Sequence, residues 1–371
     1  MSDKKEPNRR PTFVSMYTGA GGLDLGFMAA GLNPVFSNDI FPEATHTYTD
    51  MTCMLAKQGI ATCEHRIVTG DIRQVETLPA PGCADLVIGG PPCQGFSVAG
   101  KMDPNDPRSR HVFDFIAMVE RVHPYAFVME NVKALACNQR WRHVIQAIQN
   151  HAERLGYVTA LHVLNAADFG VPQSRERMFL IGVRDRQTPC PRPEPEEKRI
   201  SVRDVFANLP HLGELGNDRV CTARITPAKK PVLRQSPWAG MLFNGQGRPI
   251  NLDGAAPTLP ASMGGNRTPI IDQCSLETGK PAWVEEYHAH LMAGGQPVDT
   301  VPSRLRRLSV DEAAALQTFP RDMPWYGSQS AIYRQIGNAV PPKLAYHVAV
   351  ALVDHLGWNV NKHPEIIHNL Q

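Results

Sequence analysis

The stretch Tyr17-Thr-Gly-Ala-Gly-Gly-Leu-Asp-Leu-Gly26 constrains the fold more than any other. It follows an apolar run, Thr12 to Met16, that reads as a strand, and it leads into Leu23 to Ala30, which reads as a helix. Glycines at such a junction let the backbone turn sharply and approach a ligand closely. The alternation then continues. Val35 to Ser37 reads as a strand, and Pro42 to Thr49 as a helix with proline at a tolerated first-turn position. Asp85 to Ile88 is a fully buried strand by composition, Val112 to Val122 a helix, and Ala126 to Met129 a strand. Trp141 to Leu155 is a helix and Met178 to Val183 a further strand. Strands alternating with helices predict βαβ units, an α/β fold and a mostly parallel sheet.

The pattern breaks after that strand. Pro189, Pro191, Pro193 and Pro195 alternate with other residues and predict an extended, semi-rigid linker. From Ser201 to Pro302 the chain is rich in Gly, Pro and polar residues, and no helical period is sustained. This predicts a second, irregular and mostly β domain, which a chain of 371 residues has room for. Ser309 to Gln317 reads as a helix with a serine cap and Asp311 and Glu312 in its first turn, and Lys343 to Leu356 as a C-terminal helix.

Bulk properties exclude several classes. No apolar run approaches the roughly 18–20 residues needed to span a bilayer, so no membrane partner is expected. Met1 to Arg10 is polar and charged, read as a loose tail and not as a signal or transit peptide. The eight cysteines include no C-x-x-C pair, so no zinc ribbon, redox motif or bound metal is expected; reduced thiols in a cytoplasm are. The formal net charge of +2 neither requires nor excludes nucleic acid, because local charge decides that.

Four places carry candidate chemistry. Asp39 ends the second strand, where an acid is well placed to accept hydrogen bonds from ribose hydroxyls, and Asp71, after Gly70, can meet an adenine amino group. On this segment alone a nicotinamide dinucleotide would fit equally, and so would a plain tight turn. Next comes Asp85-Leu-Val-Ile-Gly-Gly-Pro-Pro-Cys-Gln-Gly-Phe-Ser97, a buried strand running into a turn that Pro91 and Pro92 hold stiff. Cys93 is thereby expected at the carboxyl edge of a parallel sheet, where open α/β folds put their ligands. The segment Val98 to Arg110 reads as a surface loop able to close over a substrate. Glu130 ends an apolar strand, where desolvation raises a carboxyl pKa and lets it donate a proton; a cap or ion-pair partner is the other reading. Last, in Asp168 to Arg177, alternate residues of an extended segment point the same way, which turns Gln173, Arg175 and Arg177 toward one side. Guanidinium groups there suit phosphates or a carbonyl oxygen.

Taken together, these segments resemble the cytosine-C5 DNA methyltransferase family. The resemblance runs through the glycine loop, Asp39, Asp71, Pro91-Pro92-Cys93-Gln94, Glu130-Asn131-Val132 and Gln173-Ser174-Arg175-Glu176-Arg177 in the family's order. It ends with Arg304 to Pro320, including Leu316-Gln317-Thr318-Phe319-Pro320, and with Tyr333-Arg-Gln-Ile-Gly-Asn-Ala-Val-Pro341. Two departures are small: Tyr17 stands where the family usually has Phe, and Asp39 where it often has Glu.

The resemblance implies a Rossmann-like S-adenosylmethionine-dependent domain over 1–187 plus 331–371, with a smaller target-recognition domain and hinge over 188–330. Cys93 would add to C6 of a flipped-out cytosine in duplex DNA, Glu130 would act near N3, and Arg175 with Arg177 would bind the O2 side. S-adenosylmethionine would meet Tyr17, Thr18, Gly19, Ala20, Gly21, Gly22, Asp39, Ile40, Asp71, Ile72, Pro92, Asn338 and Val340. Gln94, Ser97, Gln173, Arg248, Thr258, Leu259 and Arg267 would face DNA, with Lys229, Lys230 and Arg234 as further candidates for phosphate or guanine contacts. The compact length suggests a bacterial or phage modification enzyme; a monomer is expected, and a cognate restriction endonuclease is a candidate partner that the sequence does not itself indicate. An RNA cytosine methyltransferase on the same scaffold is the nearest rival; the long region between Arg177 and Arg304 favours DNA. A nicotinamide oxidoreductase leaves Cys93 and Gln173–Arg177 unexplained, and a catalytically silent DNA-binding relative would be expected to lose Cys93.

Overall fold

The computed structural model describes residues 9–62, 65–92 and 110–368. In the first half, β1 (Thr12–Met16), α1 (Gly22–Ala29), β2 (Asn33–Asp39), α2 (Pro42–Lys57), β3 (Arg66–Thr69) and β4 (Leu86–Gly89) follow one another. Then come α3 (His111–Val122), β5 (Ala126–Val132), α4 (Lys133–Cys137), α5 (Arg142–Arg154), β6 (Tyr157–Asn165), β7 (Gln173–Ser174) and β8 (Glu176–Arg184). Seven of these strands form one sheet in the order β3-β2-β1-β4-β5-β8-β6. The first five are parallel, and β8 runs antiparallel between β5 and β6.

Side-chain alternation along these strands makes two apolar layers. Phe13, Leu86, Ile88, Val128, Phe179 and Ile181 pack toward α1 and the C-terminal helix. Val14, Val87, Phe127, Met129, Met178 and Leu180 pack toward α3 and α5 on the other side. Because both faces are covered, the central strands read as continuous apolar runs. β6 lies at the sheet edge and is half-buried, so its alternation is blurred by Thr159 and His162; the sequence reading did not single it out. The helix begun at Pro42 continues to Lys57, because Tyr48, Met51, Thr52 and Leu55 keep one buried stripe going.

The second half begins with the proline-rich 189–200, which forms no regular element. It continues through α6 (Val202–Phe206), β9 (Pro227–Val232), β10 (Met241–Phe243), β11 (Ala256–Pro257), β12 (Ile270–Asp272), α7 (Gln273–Thr278), α8 (Trp283–Met292) and β13 (Leu305–Arg307). It ends with α9 (Val310–Leu316), α10 (Gln329–Asn338), α11 (Pro342–Leu356) and α12 (Glu365–His368). Two small antiparallel pairs, β9 with β10 and β12 with β13, support an apolar cluster of their own that includes Ile225, Leu242, Phe243, Ile270, Val284, Tyr287 and Leu291. The region expected to lack helical period therefore contains α8. Its stripe, Val284, Tyr287, His288 and Leu291, is interrupted by a histidine whose ring nitrogen meets the Arg234 carbonyl at 2.8 Å. Ser309 caps α9 in a reciprocal box with Glu312, as the sequence predicted for the start of that helix.

The linker is tied back to the sheet domain. Glu196 meets Lys343 Nζ at 3.0 Å and His347 Nε2 at 3.1 Å on α11, and its own N–H donates to the Asp168 carbonyl. No helix among the described residues is long and apolar enough to cross a membrane.

Candidate active site

The carboxyl ends of β4 and β5 meet at a short turn. Asn131 donates from Nδ2 to the Pro91 carbonyl at 3.0 Å, pinning the Gly90-Pro91-Pro92 turn to β5. Glu130 also approaches that turn: a methyl group placed on Gly90 would come within 2.9 Å of Glu130 Oε2, so a larger residue there would push the carboxyl aside. Glu130 is buried, and its other oxygen pairs with Arg177 Nε at 3.0 Å. Burial raises the carboxyl's pKa above the ordinary range, against the opposing pull of Arg177 and Arg175. A carboxyl in this state keeps a proton to higher pH than an exposed one. Cys93, Gln94 and Ser97, together with the loop from Val98, lie outside the described residues.

The Gln-x-Arg-x-Arg segment shows the expected alternation. Gln173 and Arg175 are buried and Arg177 nearly so, while Ser174 and Glu176 are exposed. The three side chains do not converge on one ligand, however. Arg177 forms an ion pair with Glu130, which also feels the charge of Arg175. Arg175 is 1% exposed, and its guanidinium donates to the carbonyls of Gly337 (3.0 Å), Leu259 (3.4 Å) and Asn338 (3.4 Å). Gln173, expected to face DNA, is fully buried: Oε1 accepts from the Leu259 N–H at 3.0 Å, and Nε2 donates to Gln317 Oε1 at 3.0 Å. The reason is that β7 pairs with β11, which packs this face against the chain Ala256 to Leu259 and leaves no solvent side. Thr258 is exposed and donates to the Ser174 carbonyl at 2.8 Å, and Leu259 is buried.

The glycine loop lies at the adjoining sheet edge. Tyr17 has φ 58°, a left-handed conformation uncommon outside glycine, and its hydroxyl lies 3.2 Å from His111 Nδ1. Gly21 adopts φ 87° as the N-cap of α1. Thr18 is buried beneath the loop with Ser15, and Ala20 and Gly22 are buried as well. A methyl group on Gly22 would lie 2.3 Å from the Val340 carbonyl, so the α10–α11 junction returns to this loop; Asn338 beside it is exposed. Asp39 is buried and its pKa is raised by burial, while the N–H groups of Gly19 and Phe41 donate to its two oxygens at 2.8 and 2.9 Å. A carboxylate has about four acceptor sites, so capacity remains for a ligand hydroxyl. Ile40 is exposed, Ile72 buried, and Pro92 intermediate. Asp71 is engaged by Arg73 through Nε and Nη2 at 3.0 and 2.6 Å, which pulls its pKa down to about 2. These groups fit a nucleoside-bearing methyl donor: open space above Gly19, a carboxylate with spare acceptor capacity and an exposed apolar side chain for a base.

Lys229, Lys230, Arg234, Arg248 and Arg267 are all exposed. The sequence reading passed over Gln317, Gly337 and His111 as site residues. Gln317 and Gly337 stood inside quoted motifs, but their partners come from distant segments, so spacing carried no signal for them.

Residues 11–354 match the family model described as C-5 cytosine-specific DNA methylase. Type II methyltransferase M1.HphI of Haemophilus parahaemolyticus is 31% identical over 92% of this chain and 86% of its own length. Type II methyltransferase M.MthTI of Methanothermobacter thermautotrophicus is 30% identical over 91% and 95%. Among solved structures, the Entamoeba histolytica methyltransferase EhMeth aligns with TM-score 0.64 at 16% identity, covering 94% of this chain and 99% of that one. The S. pombe Dnmt2 methyltransferase aligns with TM-score 0.63 at 16% identity, covering 94% and 100%; these likenesses establish the fold.

Proposed function

The chain belongs to the C-5 cytosine-specific DNA methylase family, and from that membership we propose a reaction course through a covalent adduct of Cys93 with a flipped-out cytosine. The enzyme is a DNA cytosine-C5 methyltransferase. Cytosine C5 is a poor nucleophile until a thiolate adds at C6 and makes the ring an enamine. Cys93, following the stiff Pro91-Pro92 turn, supplies that thiolate. Glu130 holds a proton against N3, and Arg177, already paired with Glu130, meets the O2 side. Arg175 holds the surrounding backbone rather than the base. S-adenosylmethionine, when bound by the Tyr17–Gly22 loop, Asp39, Ile40 and the Asn338–Val340 return, supplies an electrophilic methyl group. After C5 is methylated, a base removes the C5 proton and Cys93 leaves by β-elimination. Duplex stacking hides both faces of the ring, so the base is flipped out.

The observation that carries this reading is the buried Glu130 carboxyl between Gly90 and Arg177, two residues before the end of β5 and beside the Pro-Pro turn. Of the proposed division into residues 1–187 with 331–371 and a recognition domain over 188–330, only the middle of the second part draws support from a separate apolar cluster, around Ile225 to Leu305, while Val202, Phe206, Leu259, Leu316 and Phe319 pack into the cluster of the sheet domain. The type II names of the relatives support a cognate restriction endonuclease, and we take the enzyme to act in the cytoplasm as a monomer. Duplex DNA containing 5-fluorocytosine tests the reaction course, because the C5 fluorine cannot leave as a proton does. A stable adduct mapped to Cys93 is expected; turnover conditions that yield none would overturn it.

A further inference from the structure

We propose that Gln317 is a positioning residue for target-base engagement: with Gln173 it forms a buried amide relay that sets the Leu259 backbone against the segment carrying Arg175 and Arg177. This inference rests on the functional reading above and extends it to a residue that touches neither base nor cofactor.

Four segments meet at the relay. Gln317 ends α9 and is fully buried. Its Oε1 accepts from Gln173 Nε2 at 3.0 Å, and its Nε2 donates to the Ile336 carbonyl at 2.6 Å, near the end of α10. Gln173 in turn accepts the Leu259 N–H, and Arg175, two residues along the same face, donates to the Leu259 carbonyl. Both backbone polar groups of Leu259 are thus held by side chains from the β7 segment. The same loop is pressed onto α10: a methyl group on Gly337 would lie 2.6 Å from Ala261 N and Cα and from the Pro260 carbonyl.

Orientation along the relay is dictated by chemistry. An amide has one acceptor end and one donor end, and burial makes an unpaired one costly. Gln317 must offer its donor end to Ile336, so its acceptor end faces Gln173. Gln173 must then present its donor to Gln317 and its acceptor to Leu259. The position of α10 therefore decides which way Gln173 points, and Gln173 decides whether the Leu259 N–H is satisfied. Thr258, the exposed neighbour, is carried along by the same anchorage.

The test uses the full-length enzyme with a duplex oligonucleotide whose methylated site has first been located by bisulfite sequencing. Gln317→Leu and Gln173→Leu, singly and combined, complete a double-mutant cycle. Each single variant is expected to raise KM for the duplex about tenfold with kcat within about threefold, the double variant being no worse than the worse single one. A merely structural role would lower the active fraction, hence kcat, and leave KM alone. The second readout is amide hydrogen exchange at Leu259, expected to accelerate about tenfold in either single variant. If Gln317→Leu does not fold, Gln317→Glu keeps the volume and the acceptor for Gln173 while removing the donor to Ile336, and the same changes are expected. Unchanged KM, additive effects or unchanged Leu259 exchange in a folded variant would overturn the proposal. Failure of the functional reading looks different: the wild-type enzyme would then methylate no duplex cytosine, while Leu259 exchange would still respond to Gln317.

Discussion

The polar groups at the carboxyl edge of β4 and β5 and the cations proposed to meet DNA, in and around Ile225 to Leu305, differ in exposure. At the edge, Glu130, Asn131, Arg175 and Arg177 are buried or nearly so, and each has a short contact with a named partner. In and around the second region, Lys229, Lys230, Arg234, Arg248 and Arg267 are exposed. A reacting ring needs donors that are already in place, because reorganising dipoles during reaction costs rate. A DNA surface is met by long cations that adjust to phosphates and base edges on arrival. We propose that the difference separates chemistry from reading, and it can be broken at either end.

The largest effect is expected at the nucleophile. Cys93→Ser should reduce methylation by about 10³-fold or more while S-adenosylmethionine binding, read by calorimetry, survives. Full activity would remove the edge's claim to the chemistry. Glu130→Gln should lower kcat by about 10²–10³-fold, because an amide cannot deliver a full proton. In the wild type, burial keeps Glu130 protonated to higher pH than an ordinary carboxyl, so activity should fall as pH rises through that raised pKa. Arg177 opposes the rise, so in Arg177→Gln the Glu130 titration, followed by carbon NMR of the carboxyl, should move further up. A downward move would contradict the pairing.

Smaller changes are expected on the exposed side. Arg248→Ala and Arg267→Ala should each raise KM for DNA about three- to tenfold and flatten the salt dependence of binding by about one unit of slope, with kcat retained. A loss of kcat without a change in salt slope would erase the contrast between the two regions. Glu196→Gln belongs to neither and serves as the control, costing about 1 kcal/mol of stability by denaturant titration with kinetics unchanged. His347 and Lys343 hold the Glu196 pKa down to about 2 from 4.5, so its contribution is present above the higher value and is lost as pH falls toward the lower. Stability equal to wild type at neutral pH would show that the linker is anchored elsewhere.

Much of this was legible in the chain itself. The strands at Thr12, Ala126 and Met178 and the capped helix after Ser309 carry local signals: apolar runs, glycine turns and a serine with an acid three residues on. Glu130 was legible because an acid closing an apolar strand must be desolvated. β6 and α8 were harder, since a half-buried edge strand and a helix with a histidine in its buried stripe both weaken the periodicity that marks them.

The sequence by itself determined the α/β alternation and the family, because these depend on neighbours a few positions away. Which way Gln173 and Arg175 turn was decided only by tertiary structure. Alternation put them on the same face as Arg177, but the pairing of β7 with β11 brought Leu259 against that face, and α9 and α10 closed over it. Those partners lie 84 to 163 residues away along the chain. A buried donor goes to whichever acceptor the packing brings within reach, and spacing in the chain does not encode that choice.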